Sequence, residues 1–169
     1  MTILVVCASR HGSTRQIADV IAEELKASGY VVDVHDAAKP WDMGPYDGAI
    51  IGSAVYMGKW LPEARDFVKG HREQLAGIPV WLFSSGPLGN IDPQPPADSL
   101  HIDEFLFTTG AHDHRIFEGK LDRSRLGFGE RLAVKMVKAP EGDFRDWKAI
   151  RAWAQEIATS LKTLAAPAV

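Results

Sequence analysis

The sequence predicts an α/β protein: a three-layer sandwich around a five-stranded parallel sheet. Three observations carry this expectation. Continuous, largely β-branched apolar runs recur along the chain, and such runs mark strands covered on both faces. Stretches with apolar residues at helical spacing lie between them. Polar loops rich in glycine and proline separate the two kinds of segment. This alternation gives a parallel sheet with right-handed crossovers and helices on both faces.

The elements follow in order. Ile3–Ala8 is the first buried strand. A helix begins near Ser13, presents Ile17, Val20, Ile21 and Leu25 on one face, and stops at Gly29. Tyr30–Val34 reads as a second strand, Ala37–Asp47 as a loop, Gly48–Gly52 as a third strand and Ser53–Trp60 as a loop. Pro62 suits the first turn of a helix whose apolar face is Ala64, Phe67, Val68 and Leu75, with Gly77 as its end. Ile78–Phe83 is a fourth strand, Ser84–Pro96 a long loop, Ala97–Thr108 a helix and Arg115–Leu121 a fifth strand. Leu126–Lys138 is amphipathic, and Ala139–Asp143 breaks it. Trp147, Ile150, Ala154, Ile157, Leu161 and Leu164 form the stripe of a last helix.

The 169 residues make one domain's worth of chain, expected to span 1–164 with a frayed tail at 165–169. A hydrophobic content of 46% and a charged content of 24% are those of an ordinary globular protein. Net charge is −3, which provides no overall basic field for nucleic acid. The single cysteine, Cys7, precludes an internal disulfide and fits a reducing compartment. Ile3–Ala8 is too short for a signal core and lacks a basic leader, so the expected address is cytoplasmic.

Ligands of such sheets bind beyond the carboxyl ends of the strands. Three loops lie there: Ser9–Thr14, Ser53–Trp60 and Ser84–Asn90. The first is a strand-to-helix turn. Its backbone N–H groups and the helix dipole suit an anion. Gly12 permits close approach, Ser9, Ser13 and Thr14 offer hydroxyls, and Arg10 and Arg15 offer charge. Neither the nucleoside-triphosphate loop G-x-x-x-x-G-K-[ST] nor G-x-G-x-x-G is present. The same hydroxyls could instead cap the helix, and at this level both readings stand.

The stretch Val5–Ala18 resembles the phosphate-binding signature of flavodoxins, and more narrowly that of the flavodoxin-type, menaquinone-dependent protoporphyrinogen dehydrogenases. Ile50–Trp60 looks like the second flavin loop of that group, and Phe83–Leu88 occupies the third. Gly119–Lys138 and Phe144-Arg145-Asp146-Trp147 resemble its C-terminal half. His11 stands where better-known members carry an acidic residue, and Tyr56-Met57 replaces a basic–aromatic pair.

The resemblance implies a flavodoxin-like fold and FMN as cofactor. Ser9, Arg10, His11, Gly12, Ser13 and Thr14 would bind the phosphate. Ala54, Val55, Tyr56, Met57, Gly58 and Lys59, with Ser84, Ser85, Gly86, Pro87 and Leu88, would flank the isoalloxazine ring. Tyr56 and Trp60 are candidates to stack on that ring, and the Gly58 peptide could turn towards the reduced flavin. The implied function is an FMN-dependent oxidoreductase passing electrons to a quinone. The alternative is an electron carrier serving a redox partner protein, without its own substrate.

Other groups read more plainly. Cys7 is expected to be buried and inert. His112, Asp113 and His114 fit a loop before a strand better than a metal site, and Asp33, His35 and Asp36 fit a strand end. Lys120, Arg123, Arg125, Arg131, Lys135 and Lys138 make the 120–138 segment basic. That segment reads as a solvated helix face, or as a peripheral contact with an anionic membrane. A homodimer across one helical face is also compatible with the pattern. A phosphoacceptor domain of the same strand order is disfavoured, because Cys7-Ala8-Ser9 and Gly52-Ser53-Ala54 stand where it needs acidic residues.

Overall fold

The computed structural model describes residues 1–86, 102–122, 124, 127 and 141–166. Strands β1 (Thr2–Ala8), β2 (Val31–Asp36), β3 (Gly48–Tyr56), β5 (Val80–Ser85) and β6 (Asp113–Phe117) form a sheet in the order β2-β1-β3-β5-β6. All four pairings along this path are parallel. The expected five-stranded parallel sheet is therefore present. A short strand, β4 (Lys59–Trp60), folds back antiparallel onto the end of β3.

Two apolar layers sandwich the sheet. On one side, Ile3, Val5, Cys7, Ile50, Trp81 and Phe83 pack against α1 (Ser13–Ala27) and α5 (Trp147–Ala165). On the other, Leu4, Val6, Ala49, Ile51 and Leu82 meet α2 (Pro62–Gly70), α3 (Arg72–Ala76) and α4 (Asp103–Thr109). Alternate residues of one strand thus serve opposite layers, and both layers are apolar, so β1 reads as an unbroken run. The stripes on α1 and α5 point inward, with Ile17, Ile21, Leu25, Ile150 and Leu161 fully buried. Burying each such side chain contributes about 1.5–3 kcal/mol relative to exposure. Asp146 caps α5 by accepting from the Ala149 N–H at 2.9 Å.

The second strand runs to Asp36 and the fourth spans Val80–Ser85, so Ser84 and Ser85, expected in a loop, end a strand because both are buried at the sheet edge. Four further boundaries differ from expectation. The third strand runs to Tyr56 instead of stopping at Gly52, because Met57-Gly58 forms a two-residue hairpin turn into β4. The helix expected from Pro62 to Gly77 is two helices, interrupted at His71 (φ −115°, ψ 20°) directly after Gly70. Asp113 and His114 lie within β6 rather than before it. Lys120-Leu121 separates from β6 as β7 and pairs antiparallel with β8 (Gly142–Asp143) in a second, two-stranded sheet. That pairing is non-local and two residues long, so no hydrophobic period announces it. The helix expected at Leu126–Lys138, with its basic side chains, lies outside the described residues apart from Gly127, as does most of the loop Ser84–Pro96. No helix among the described residues is long and apolar enough to cross a membrane.

Candidate functional site

Strand order reverses between β1 and β3, the switch point where doubly wound sheets bind ligands. Register brings the relevant strand ends side by side: Ala8 is opposite Ser53, and Ala54 is opposite Ser85. The loop after β1, the β3–β4 turn and the end of β5 therefore share one edge of the sheet. The Arg10 guanidinium lies over the Tyr56 ring, 4.8 Å from its centroid, and ties the first loop to the second.

Gly12 sets the geometry of the first loop. It adopts the left-handed conformation (φ 85°, ψ −8°) and is the N-cap of α1. Its N–H donates to Ser9 Oγ at 3.1 Å, and its carbonyl accepts the first helical bond, from Gln16 N at 3.1 Å. No side chain caps α1 among the described residues. Ser9 Oγ is turned to the Gly12 N–H, and Ser13 Oγ accepts from the Lys120 N–H at 3.2 Å. The capping alternative for these hydroxyls therefore does not apply. The first-turn N–H groups of α1, which have no intrahelical acceptor, face the loop. Thr14 is buried at the start of the helix. Arg15 is directed along the helix instead, bonding Asp19 at 2.8 Å.

In the second loop, Ala54, Val55 and Tyr56 are half-buried at the end of β3. Met57 (φ 49°) and Gly58 (φ 72°) make the turn, and Lys59 opens β4 opposite Tyr56. Positive φ at both central residues is the geometry of a two-residue hairpin turn matched to strand twist. Met57 is fully exposed. Trp60, a candidate for stacking on a ring ligand, belongs to the core instead. It is 2% exposed and stacks on Phe105 at 5.5 Å, and its Nε1–H donates to Ser84 Oγ at 2.8 Å.

In the third loop, the Ser84 hydroxyl is committed beneath the sheet edge. It accepts from Trp60 and lies 2.9 Å from His114 Nε2. With the Ser84 proton donated to that nitrogen, all three groups are satisfied. Burial pushes the His114 pKa down from its ordinary 6.5 to about 4, against the opposing pull of Asp113. Ser85 is buried at the strand end. Gly86 (φ 102°) donates its N–H to the Phe117 carbonyl at 2.9 Å. Pro87 and Leu88 lie outside the described residues.

The remaining groups behave as structure. Cys7 is 1% exposed, buried as expected, and burial raises its thiol pKa to about 12, which disfavours the thiolate. His35 stacks on Trp41 at 4.0 Å. No cluster of His, Cys, Asp or Glu among the described residues is arranged to hold a metal.

Sequence reasoning assigned no role to Arg145 and Asp143. Arg145 reaches the first turn of α1, where its Nη1 donates to the Ser13 carbonyl at 3.3 Å and to Gln16 Oε1 at 2.6 Å. Its Nε donates to Asp143 Oδ1 at 2.7 Å, and its guanidinium lies 4.3 Å from the Trp147 ring centroid. These bonds hold the Asp143 carboxyl below the usual carboxylate range. The Asp143-x-Arg145 spacing was a usable signal, since residues two apart share a side of an extended chain.

The chain is similar to known proteins. The chain is 26% identical to protoporphyrinogen IX dehydrogenase (quinone) of Escherichia coli strain K12, over 94% of this chain and 95% of that protein. It is 23% identical to the protein of the same name from Leishmania major, over 92% of this chain and 74% of that one. Among solved structures, a flavodoxin from the domain Archaea superposes with a TM-score of 0.62 at 17% identity, covering 96% of this chain and 99% of that one. That likeness concerns the fold. The family described as the flavodoxin domain matches residues 4–148, a span that holds all three edge loops and all of the sheet but the first two residues of β1, and the chain belongs to that family.

Proposed function

We propose that this chain binds FMN at the β1/β3 switch point and acts as an FMN-dependent oxidoreductase, oxidising a porphyrinogen and passing electrons to a quinone. One observation carries the cofactor reading: α1 opens on a left-handed glycine with no side-chain cap, facing the loop Ser9–Thr14. Such an opening fits a phosphate, which accepts from the first-turn N–H groups and is favoured by the helix dipole. In flavodoxin-like sheets this is the FMN position. The oxidoreductase reading is supported by the names of the Escherichia coli and Leishmania relatives.

Ser9, Arg10, His11, Gly12, Ser13 and Thr14 would hold the phosphate. The β3–β4 turn from Ala54 to Lys59 and the segment from Ser84 would flank the ring, Ser84 through its backbone because its hydroxyl is already engaged. Bound FMN supplies the electron-transfer chemistry, and the chain supplies binding, orientation and electrostatics. Gly12 brings main chain close to the phosphate, and Tyr56, braced by Arg10, would form one wall of the ring site. A quinone acceptor resides in a bilayer. The basic stretch 120–138 would dock the chain peripherally on an anionic membrane surface.

The test has two stages. The purified protein is examined for a flavin absorption spectrum and its apoprotein titrated with FMN, and the loaded protein is then assayed for protoporphyrinogen IX oxidation with a quinone. Saturable one-to-one binding and quinone-dependent turnover are expected. Binding without turnover would favour the electron-carrier alternative, and no binding would end both redox readings.

A further inference from the structure

The Arg145 side chain is 4% exposed and is fixed from several directions. Asp143 receives both its Nε and its Nη2, Trp147 lies against its guanidinium, and Nη1 reaches Ser13 and Gln16 at the first turn of α1. A cation at a helix N-terminus opposes the dipole, and α1 has no acidic residue in its first turn to offset it. Charge attraction to the helix therefore does not account for this placement. Asp143 balances the charge, and what the guanidinium does at α1 is hold particular atoms.

Those atoms belong to the candidate phosphate loop. The Ser13 carbonyl and the Thr14 N–H are parts of one planar trans peptide and point in opposite directions. Holding the carbonyl therefore fixes the plane of that peptide and with it the direction of the Thr14 N–H. The Ser13 hydroxyl is held in the same way, since its oxygen accepts from the Lys120 N–H and its proton remains to be donated elsewhere. Both contacts come from the small β7–β8 sheet and its surroundings: Lys120 opens β7, and Arg145 lies two residues beyond β8.

We infer that Arg145, oriented by Asp143, is a positioning residue for the FMN phosphate: it holds the Ser13–Thr14 peptide so that its N–H converges on the phosphate oxygens, without touching the ligand itself. The inference rests on the FMN reading above. It explains why residues far along the chain are packed against the first loop, and it predicts a defect specific to the phosphate rather than to the flavin ring.

The test compares FMN with riboflavin, which has the same ring and no phosphate, by quenching of flavin fluorescence on titration into apoprotein. Wild type, Arg145→Met, Arg145→Lys and Asp143→Asn are compared, with circular dichroism to check folding. Loss of an aligned donor to a charged group predicts a fall of about tenfold in the preference for FMN over riboflavin in Arg145→Met. Arg145→Lys and Asp143→Asn should show smaller falls, and they carry the test if Arg145→Met does not fold. Equal weakening of both ligands, or unchanged FMN affinity in every folded variant, overturns the inference while leaving FMN binding intact. Absence of FMN binding to the wild type overturns the reading beneath it as well.

Discussion

The Arg10 guanidinium lies over the Tyr56 ring, 4.8 Å from its centroid, and so joins the loop after β1 to the end of β3. A half-exposed cation–π contact of this kind contributes about 0.5–1 kcal/mol. A double-mutant cycle with Arg10→Met and Tyr56→Leu, read by chemical denaturation, should return a coupling energy of that size. Additive effects would show that the two loops are energetically independent.

Gly12 sits at φ 85°, where a β-branched residue is strained by roughly 1–2 kcal/mol or more. Gly12→Val should lower the unfolding midpoint and weaken FMN binding on titration of the apoprotein. Gly12→Asn should be milder in both respects, because asparagine visits the left-handed region. Equal effects of the two substitutions would mean that bulk, not backbone conformation, decides.

His114 imposes a pH dependence of known sign. Its folded pKa of about 4 lies below the ordinary 6.5, so between these values the unfolded chain binds more protons than the folded one. Stability is full above pH 6.5 and falls as the pH drops towards 4. Melting curves of the wild type across this window should show that loss, and His114→Gln should flatten it. A wild-type Tm that is level from pH 6.5 to 4 would contradict the assignment.

Gly52 has no room for a side chain. A Cβ there would stand 2.0 Å from Phe83 Cζ, and Phe83 is itself fully buried between Phe117 and Trp153. Overpacking of this kind costs about 1–3 kcal/mol. Gly52→Ala should therefore be clearly destabilised in urea, and adding Phe83→Leu should recover part of the loss.

The sheet, its parallel sense and both flanking layers were legible in the order of residues, because burial on two faces demands unbroken apolar runs such as Ile3–Ala8 and because α1 and α5 carry stripes at helical spacing. The three edge loops were legible too, since chain direction alone places them at the carboxyl ends of β1, β3 and β5. What lay hidden depends on contacts between residues far apart in the chain. A tryptophan in a loop can serve a ligand or the core, and only the placement of Ser84 and Phe105 assigns Trp60 to the core. Hydroxyls near a helix start can cap it or serve elsewhere, and only the fold shows that Ser9 Oγ accepts from the Gly12 N–H and Ser13 Oγ from the Lys120 N–H. Arg145 lies 132 positions from the Ser13 carbonyl it holds, and no periodic pattern reports such a bond. Local sequence thus determined the elements and the edge where chemistry belongs, because burial and backbone preference act residue by residue. Tertiary structure alone decided which side chains face that edge, because hydrogen bonds and ring contacts between distant segments exist only once the chain has folded.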